Sequence, residues 1–372
     1  QQIVSMQRGG SSMDTWVTTR GAVDTFSMLP AQLRPEDIVP AHRPVSSRAA
    51  ENLFWMGRYT ERAENDVRLA NVALTWLNSD EDNAGELFAA VAALCRRSGL
   101  APAAPTLSVR MFESTLLAEL AGEDAQGGVS RNLGALAYAA GQIRDRLSPD
   151  HWRLVVTANE LFRRMASGGK ERDADTPATA PDVLRALKNL GMQLSAITGS
   201  QTDRMTRDDG WRLLTIGRQI ERLSAMAGLL GELFRRNAVL GDSGFNILLD
   251  LFDSKITYRA YYPGRQEVPA LLNLLVQEPA NPRSIACVLS VLRKEVARLP
   301  ATVAGPATDL LGLLPAEGAG AALTALCQQT QGLYAGVLAL CEQLDAAASA
   351  LSNEISRRYF SHAAGYDQTL SA

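Results

Sequence analysis

The chain has 372 residues, with 37 basic and 40 acidic side chains and a formal net charge of −3. That balance argues against a nucleic-acid binder, since such domains carry a basic excess. With 46% hydrophobic and 21% charged residues, the composition is that of a folded protein, and the length suits two or three domains or one large helical one.

Only Lys170, Lys188, Lys255 and Lys294 are lysines; the other basic residues are arginines. A GC-rich genome produces such a bias. Chemically, arginine forks match carboxylates and phosphates.

Cys95, Cys287, Cys327 and Cys341 are too scattered for a disulfide framework or a zinc knuckle. They are expected to be buried thiols in a reducing cytoplasm, with Cys327 and Cys341 on one helix. His42, His151 and His362 are the only histidines and form no His-Glu-x-x-His pair, so no metal site is expected. The longest uncharged run, Gly318 to Cys341, carries Gln328, Gln329 and Gln331 at its centre. Those amides are costly in hydrocarbon, so a buried core helix is expected rather than a membrane span. No secretory pattern opens the chain. Gln1 in place of an initiator methionine reads as the start of a fragment of a longer product, or as a trimmed start.

In chain order, residues 1 to 29 come first. Trp16 to Thr19 and Val23 to Phe26 are β-prone and flank Arg20-Gly21, which predicts two short strands about a turn. Residues 30 to 45 hold Pro30, Pro35, Pro40 and Pro44, which predicts an extended linker and a domain boundary. From residue 46 to 372 apolar residues recur at helical spacing. Breakers fall at Ser98-Gly99 through Pro105, Gly168 through Pro181, near Gly241, at Pro263-Gly264, at Pro279 through Pro282 and at Pro300 through Pro315. The expectation is an all-α bundle of roughly ten to twelve helices behind a short β-prone remnant. Arg96-Arg97, Arg163-Arg164 and Arg235-Arg236 precede glycines and read as cations at helix C-termini.

The first long helix opens at Ser46-Ser47-Arg48, where either serine can cap it. Leu53, Met56, Tyr59, Ala63, Val67 and Ala70 project onto one apolar face. Arg48, Glu51, Trp55, Arg58, Arg62 and Asn65 share another, while Glu61 and Arg68 point to a third side. Gly57-Arg58-Tyr59-Thr60-Glu61-Arg62 recurs 160 residues later as Gly217-Arg218-Gln219-Ile220-Glu221-Arg222. Asp208, Trp211, Thr215, Arg218 and Arg222 line the corresponding face of this second helix. The repeat suggests an internal duplication. It predicts two helices side by side in the core, with Gly57 and Gly217 permitting close approach. The Glu-Arg stripe has three possible uses: a buried ionic network, a solvated face, or a site for an anionic ligand or partner.

Separately, Asn281-Pro282-Arg283-Ser284 suits a helix start, with Asn281 as cap and Pro282 in the first helical position. Arg283 would then oppose the helix dipole, which a bound or internal carboxylate could offset.

The run from Ser47 to Asn65 resembles the opening helix of the bacterial alpha-E domain, a helical family with a Glu-Arg motif. The resemblance continues through Trp211-Arg212-Leu213 to Glu221-Arg222, then Thr257-Tyr258-Arg259, Asn281-Pro282-Arg283-Ser284 and Arg358-Tyr359-Phe360. It covers residues 46 to about 361. Tyr138 to Gln142 departs from it. The family commonly carries an Ala-Arg-Glu-Asn-Ala-Arg-like segment there, and the lost charges argue against a ligand role for that helix.

Ser5 to Val17 is similar to the tail of circularly permuted ATP-grasp proteins, a domain often fused to or encoded beside an alpha-E domain. Together the resemblances imply residues 1–29 as the end of an ATP-grasp domain, 30–45 as linker, and 46–372 as an alpha-E domain. They imply ATP-dependent amide bond formation, with ATP and magnesium bound in the ATP-grasp domain and no cofactor in this chain. Implied partners are an ATP-grasp domain in the same or a separate chain, a transglutaminase-like protein and a proteasome-like peptidase, with no nucleic acid and no membrane.

The leading expectation is therefore a non-catalytic, cytoplasmic helical module that holds a substrate or partner of an amide ligase. Its binding or network residues would be Arg48, Glu51, Trp55, Arg58, Glu61, Arg62, Trp211, Arg218, Glu221, Arg222, Tyr258, Arg259 and Arg283. One rival is an enzyme in its own right, with Glu61 and Glu221 as acid and base. The other is a structural oligomerisation unit. No nucleophile–base constellation supports the enzyme.

Overall fold

A computed structural model describes residues 10–11, 13–23, 26–29, 35, 45–79, 85–102, 108–121, 128–166, 178–302, 305–315 and 322–360. The chain divides into two units, Gln1–Arg43 and Pro44–Ala372. In the first unit, no strand occurs among the described residues. Trp16, Val17, Val23 and Phe26 are exposed, and the first expected strand, Trp16 to Thr19, is not formed, while Asp24 and Thr25 of the second lie outside the described residues. High β propensity does not make a ladder here, because two strands without a third layer cannot bury a face. Pro30, Pro40 and Pro44 of the expected linker lie outside the described residues.

The second unit is helical, with thirteen α-helical segments among its described residues: α1 Ser47–Leu77, α2 Gly85–Arg97, α3 Val109–Ala121, α4 Gly128–Gly141, α5 Pro149–Ala166, α6 Ala180–Asp203, α7 Asp209–Arg235, α8 Asp242–Leu251, α9 Lys255–Tyr261, α10 Val268–Leu272, α11 Ile285–Val296, α12 Leu323–Leu326 and α13 Ala335–Tyr359. The expected all-α class holds. The number of segments exceeds the expectation because α10 and α12 are single turns that no long apolar period announces.

The long helices begin where short polar side chains can stop the chain from winding further back. Ser46 caps α1, its hydroxyl accepting from the Ala49 amide, and Asp208 caps α7 by accepting from the Trp211 amide. The basic pairs do close helices: Arg96-Arg97 end α2, Arg163-Arg164 lie in the last turn of α5, and Arg235 ends α7. Gly264, with φ 70°, makes the turn expected after Pro263.

Two local expectations are corrected. The cap of α11 is Ser284, whose hydroxyl accepts from the Cys287 amide, and not Asn281. Buried Asn281 instead ties the preceding turn together. Its Oδ1 accepts from the Arg283 amide, and its Nδ2 donates to Ser254 Oγ and the Leu274 carbonyl. Three bonds inside the core outweigh one at a helix end. Cys327 and Cys341 do not share a helix either. A turn with Gln331 at φ 54° and Gly332 at φ 78° separates α12 from α13, so the uncharged run is not one helix. Among the described residues no helix is long and apolar enough to cross a membrane.

The core forms around α1. Leu53, Met56, Ala63, Ala70 and Leu74 are fully enclosed. The helix packs against α4, α6 and α7, and α11 and α13 pack on α7. Enclosure from several directions leaves no α1 residue between Ala50 and Leu74 more than partly exposed, so its charged residues are partly or wholly withdrawn from water and need partners in the protein.

Candidate functional site

The two Glu-Arg segments meet where α1 and α7 cross. A Cβ placed on Gly57 would come 2.0 Å from the Leu214 carbonyl oxygen, and one on Gly217 would come 2.3 Å from the Phe54 carbonyl oxygen. The contacts are reciprocal across the 160-residue repeat, and Leu53 lies against Gly210 as Gly57 lies against Leu214, so the two helices run parallel. Absence of a side chain at both positions lets the two backbones touch.

That approach brings each motif glutamate to the other helix's arginines. On one side Glu221 accepts from Arg58 Nε at 2.9 Å and from Arg62 through Nε and a terminal nitrogen, both at 2.8 Å. On the other, Glu61 accepts from Arg218 Nε at 2.9 Å and from Arg222 through Nε at 2.7 Å and a terminal nitrogen at 2.6 Å. The same donor atoms meet the same acceptor atoms in both halves. Each arginine after a motif glutamate binds the opposite carboxylate by a two-point fork, the geometry in which guanidinium discriminates best.

The halves differ around this shared centre. Trp55 stacks on Tyr59 at 5.6 Å, and the guanidinium of Arg58 lies 5.2 Å over Trp55 while that of Arg62 lies 5.7 Å over Tyr59. Arg58 also donates to Ser352 on α13. The Glu61 half is completed by charge instead. Arg218 reaches Glu64, and Arg283 lies 3.3 Å from Glu61 and 3.6 Å from Glu64. Pro282 and Arg283 precede the Ser284 cap rather than standing in the first turn of α11, and the carboxylates that Arg283 meets are internal.

Glu61 has no exposed surface, although helical projection put it on a third side away from the stripe. Projection gives an angle around the axis, and only the neighbouring helices decide what is buried. Burial pushes the Glu61 carboxyl pKa upward, but Arg222, Arg218 and Arg283 together hold it far below the ordinary range. It therefore stays ionised at any physiological pH. Burial and the adjacent Arg222 push Arg283 down to about 10. Five arginines face three glutamates in the cluster, an excess of positive charge.

The model of the Alpha-E family, described as "a predicted alpha-helical domain with a conserved ER motif", matches residues 45–360. The chain belongs to the Alpha-E family. Glu61-Arg62 and Glu221-Arg222 each spell the pair for which the family is described. Uncharacterized proteins of Mycobacterium bovis and Mycobacterium tuberculosis are 27% identical over 310 residues, covering 78% of this chain and 34% of theirs. The chain thus spans about a third of the length of those relatives. No solved structure matches it.

The remaining expected residues of the Alpha-E domain lie outside the cluster. Arg48, Glu51, Trp55 and Tyr59 line a groove of about 350 Å³ with Tyr138 of α4 and Gln142 just after it, and Arg48 hydrogen-bonds Gln142. Tyr138 is 71% exposed, so the segment that departs from the family pattern does face a groove. Trp211 donates its indole N–H to the Gln201 carbonyl and anchors the start of α7. Tyr258 is buried, edge-on to Phe245. Exposed Arg259 lines a wider groove of about 690 Å³ with Arg68, Lys255, Asp242, Asp250 and Asp253, where three acids balance three bases.

Sequence reasoning passed over Glu64, Asp66 and Asn132. Glu64 lies three residues after Glu61, on the same side of α1, which was the available signal. Asp66 is buried and accepts from Asn132 at 2.6 Å, and desolvation pushes its carboxyl up to about 7. Nothing in the α1 sequence marks that aspartate as different from its solvated neighbours.

Proposed function

We propose that this Alpha-E domain is a non-catalytic helical module that holds a substrate or partner for an ATP-grasp amide ligase. The observation that carries the non-catalytic part is the reciprocal pairing of Glu61 and Glu221. A catalytic acid or base must exchange a proton near neutral pH. Glu61 is enclosed, accepts from Arg218 and Arg222, and is held ionised. Glu221 is engaged by Arg58 and Arg62. Two glutamates so occupied act as structural counter-ions that lock α1 to α7.

The ligase part rests on the resemblance of Ser5 to Val17 to an ATP-grasp tail. In such a system the ATP-grasp domain supplies ATP and magnesium chemistry: a carboxylate is phosphorylated and an amine displaces phosphate to give an amide. The partners would be that domain, in the same or a separate chain, together with a transglutaminase-like protein and a proteasome-like peptidase. The cytoplasm supplies the ATP. The arginine excess of the cluster supports a role in holding an acidic group.

The test is ATP turnover by a fusion carrying an ATP-grasp domain ahead of this chain, with and without residues 46 to 372. The expected result is retained nucleotide binding with loss of substrate-stimulated turnover. Unchanged stimulated turnover would remove the accessory role. Magnesium-dependent ATP hydrolysis by this chain alone, abolished by Glu61→Ala, would instead establish an enzyme in its own right.

A further inference from the structure

A cavity of about 280 Å³ opens beside the Glu221 half of the cluster, walled by α1, α2 and α7 with Arg131 of α4 at its edge. Three guanidinium groups line it: Arg62, Arg97 and Arg131. Arg62 uses Nε and one terminal nitrogen on Glu221, and its other terminal nitrogen has no hydrogen bond among the described residues. Among the described residues the ion pair of Arg97 is a long, half-exposed contact with Asp345 at 3.6 Å. Arg131 is exposed and forms no ion pair among the described residues. Beside them the Asn65 side-chain N–H₂ is buried without a partner.

The two acids of the lining do not cancel this charge. Glu221 is already forked by Arg62 and bonded by Arg58. Asp66 is held by Asn132, and burial pushes its carboxyl up to about 7, so it carries less than a full negative charge near neutral pH. The rest of the wall is mixed: Leu69, Leu94, Ala225 and Leu229 supply an apolar side, and Ser98 and Ser224 add hydroxyls. A cationic mouth against an apolar wall selects an anion that carries its own hydrocarbon.

We propose that this cavity binds the carboxylate of a small aliphatic acid, either a free amino acid or the C-terminus of a peptide, with Arg62, Arg97 and Arg131 receiving the carboxylate and the leucines receiving the side chain. The volume equals about nine waters of bulk liquid, room for one residue and not for a folded chain. Inorganic phosphate offers nothing to the leucine wall. The site deepens the reading of the domain as the holder of a ligase substrate, but carboxylate binding is measurable with no ligase present.

Isothermal titration calorimetry of the full chain with N-acetyl-leucine, N-acetyl-leucine amide, leucine and phosphate tests it. N-acetyl-leucine is expected to bind at least tenfold more tightly than its amide and than phosphate. Leucine binding as well as the acetylated acid assigns the site to free amino acids. Selective binding of the acetylated acid assigns it to peptide C-termini, whose amine is already acylated and brings no charge near the arginines. Arg131→Ala, at an exposed position, should weaken acid binding at least tenfold with thermal unfolding unchanged. Ser98→Glu, which adds an acid to the lining, should abolish it.

Equal binding of acid and amide, phosphate binding as tight as the acid, or no heat from the acid would each overturn the proposal. Acid binding that survives Arg131→Ala and Ser98→Glu in folded protein would overturn it as well. Should carboxylate binding fail while the domain still stimulates the ATP-grasp fusion, this site is wrong and the accessory role stands. The converse result would separate them the other way.

Discussion

Gly57 on α1 lies beneath the backbone oxygen of Leu214 on α7, where an added Cβ would come within 2.0 Å. The obstructing atom belongs to a helix backbone and cannot rotate away. Gly57→Ala must therefore push α1 from α7, stretching both Arg–Glu clusters at once. The expected loss is about 3 kcal/mol or more in denaturant melts, beyond the usual overpacking cost. Gly199 on α6 is the comparison, since a Cβ there meets nothing within 4 Å. Gly199→Ala should gain up to about 1 kcal/mol from helix propensity. A tolerated Gly57→Ala would mean that the helices do not touch at this point.

Removal of the two fork arginines should give unequal losses. The Arg222 side chain is 11% exposed and faces Glu61, which is fully buried. Arg222→Ala strips two hydrogen bonds from an enclosed carboxylate and should cost about 3 kcal/mol. Arg62 is 33% exposed against Glu221 at 13%, so water can replace part of what it provides. Arg62→Ala should cost about 1–2 kcal/mol, between the surface and buried limits. Chemical denaturation of the two variants and their double mutant measures this. Losses near zero for both, strictly additive, would show that the cluster adds nothing to folding.

Asp66 makes stability depend on pH with a sign opposite to most carboxylates. Its folded pKa is raised from 3.8 to about 7. Below about pH 4 folded and unfolded chains both hold the proton. Between about pH 4 and 7 the unfolded chain releases it while the folded chain keeps it, so this residue's contribution falls as pH rises. Arg62, Glu221, Arg131 and Asn132 are the charged and polar groups acting on it. Asp66→Asn is neutral throughout and can still accept from Asn132. Variant and parent should match near pH 4, and the variant should be more stable at pH 8 by an amount on the order of a few kcal/mol. His151, pushed down to about 4 by burial and Arg204, acts the other way, losing stability as pH falls from 6.5 toward 4. Comparison of variant with parent at each pH cancels that contribution. A gap that does not widen between pH 4 and 8 would rule out a buried neutral acid at position 66.

The four thiols should separate into two pairs in labelling experiments. Cys95 and Cys341 are buried and pushed up to about 12 by desolvation, while Cys287 and Cys327 are partly accessible with pKa values also raised. Since the thiolate is the reacting form, native protein at pH 8 should label slowly at Cys287 and Cys327 and not at Cys95 or Cys341 until denaturant is added. Rapid labelling of Cys95 in native protein would contradict the packing around α1 and α2.

Local information was enough for the long helices and several of their ends, but not for the start of α11 or the turn between α12 and α13. A serine before an apolar period started α1, an aspartate started α7, arginine pairs closed α2, α5 and α7, and Pro263-Gly264 broke the chain. These features act within one or two turns of backbone, so residues near in sequence decide them. The repeat of Gly-Arg-x-x-Glu-Arg also carried non-local information, because two glycines at matching positions are where two helices can touch.

The depth of each charge was decided by the tertiary structure alone. Glu61 projected away from the stripe, yet it is the most enclosed acid of the cluster, since α1 is covered from several directions. Periodicity sorts residues by angle around one helix, whereas desolvation sums over every helix nearby. The same limit hid Glu64, the Asp66–Asn132 pair and the cavity beside Arg62. By itself the sequence determined that two Glu-Arg helices exist and that they can approach. Only packing decided that each glutamate answers the other helix's arginines, because a buried carboxylate takes whichever cations the fold brings within hydrogen-bonding distance.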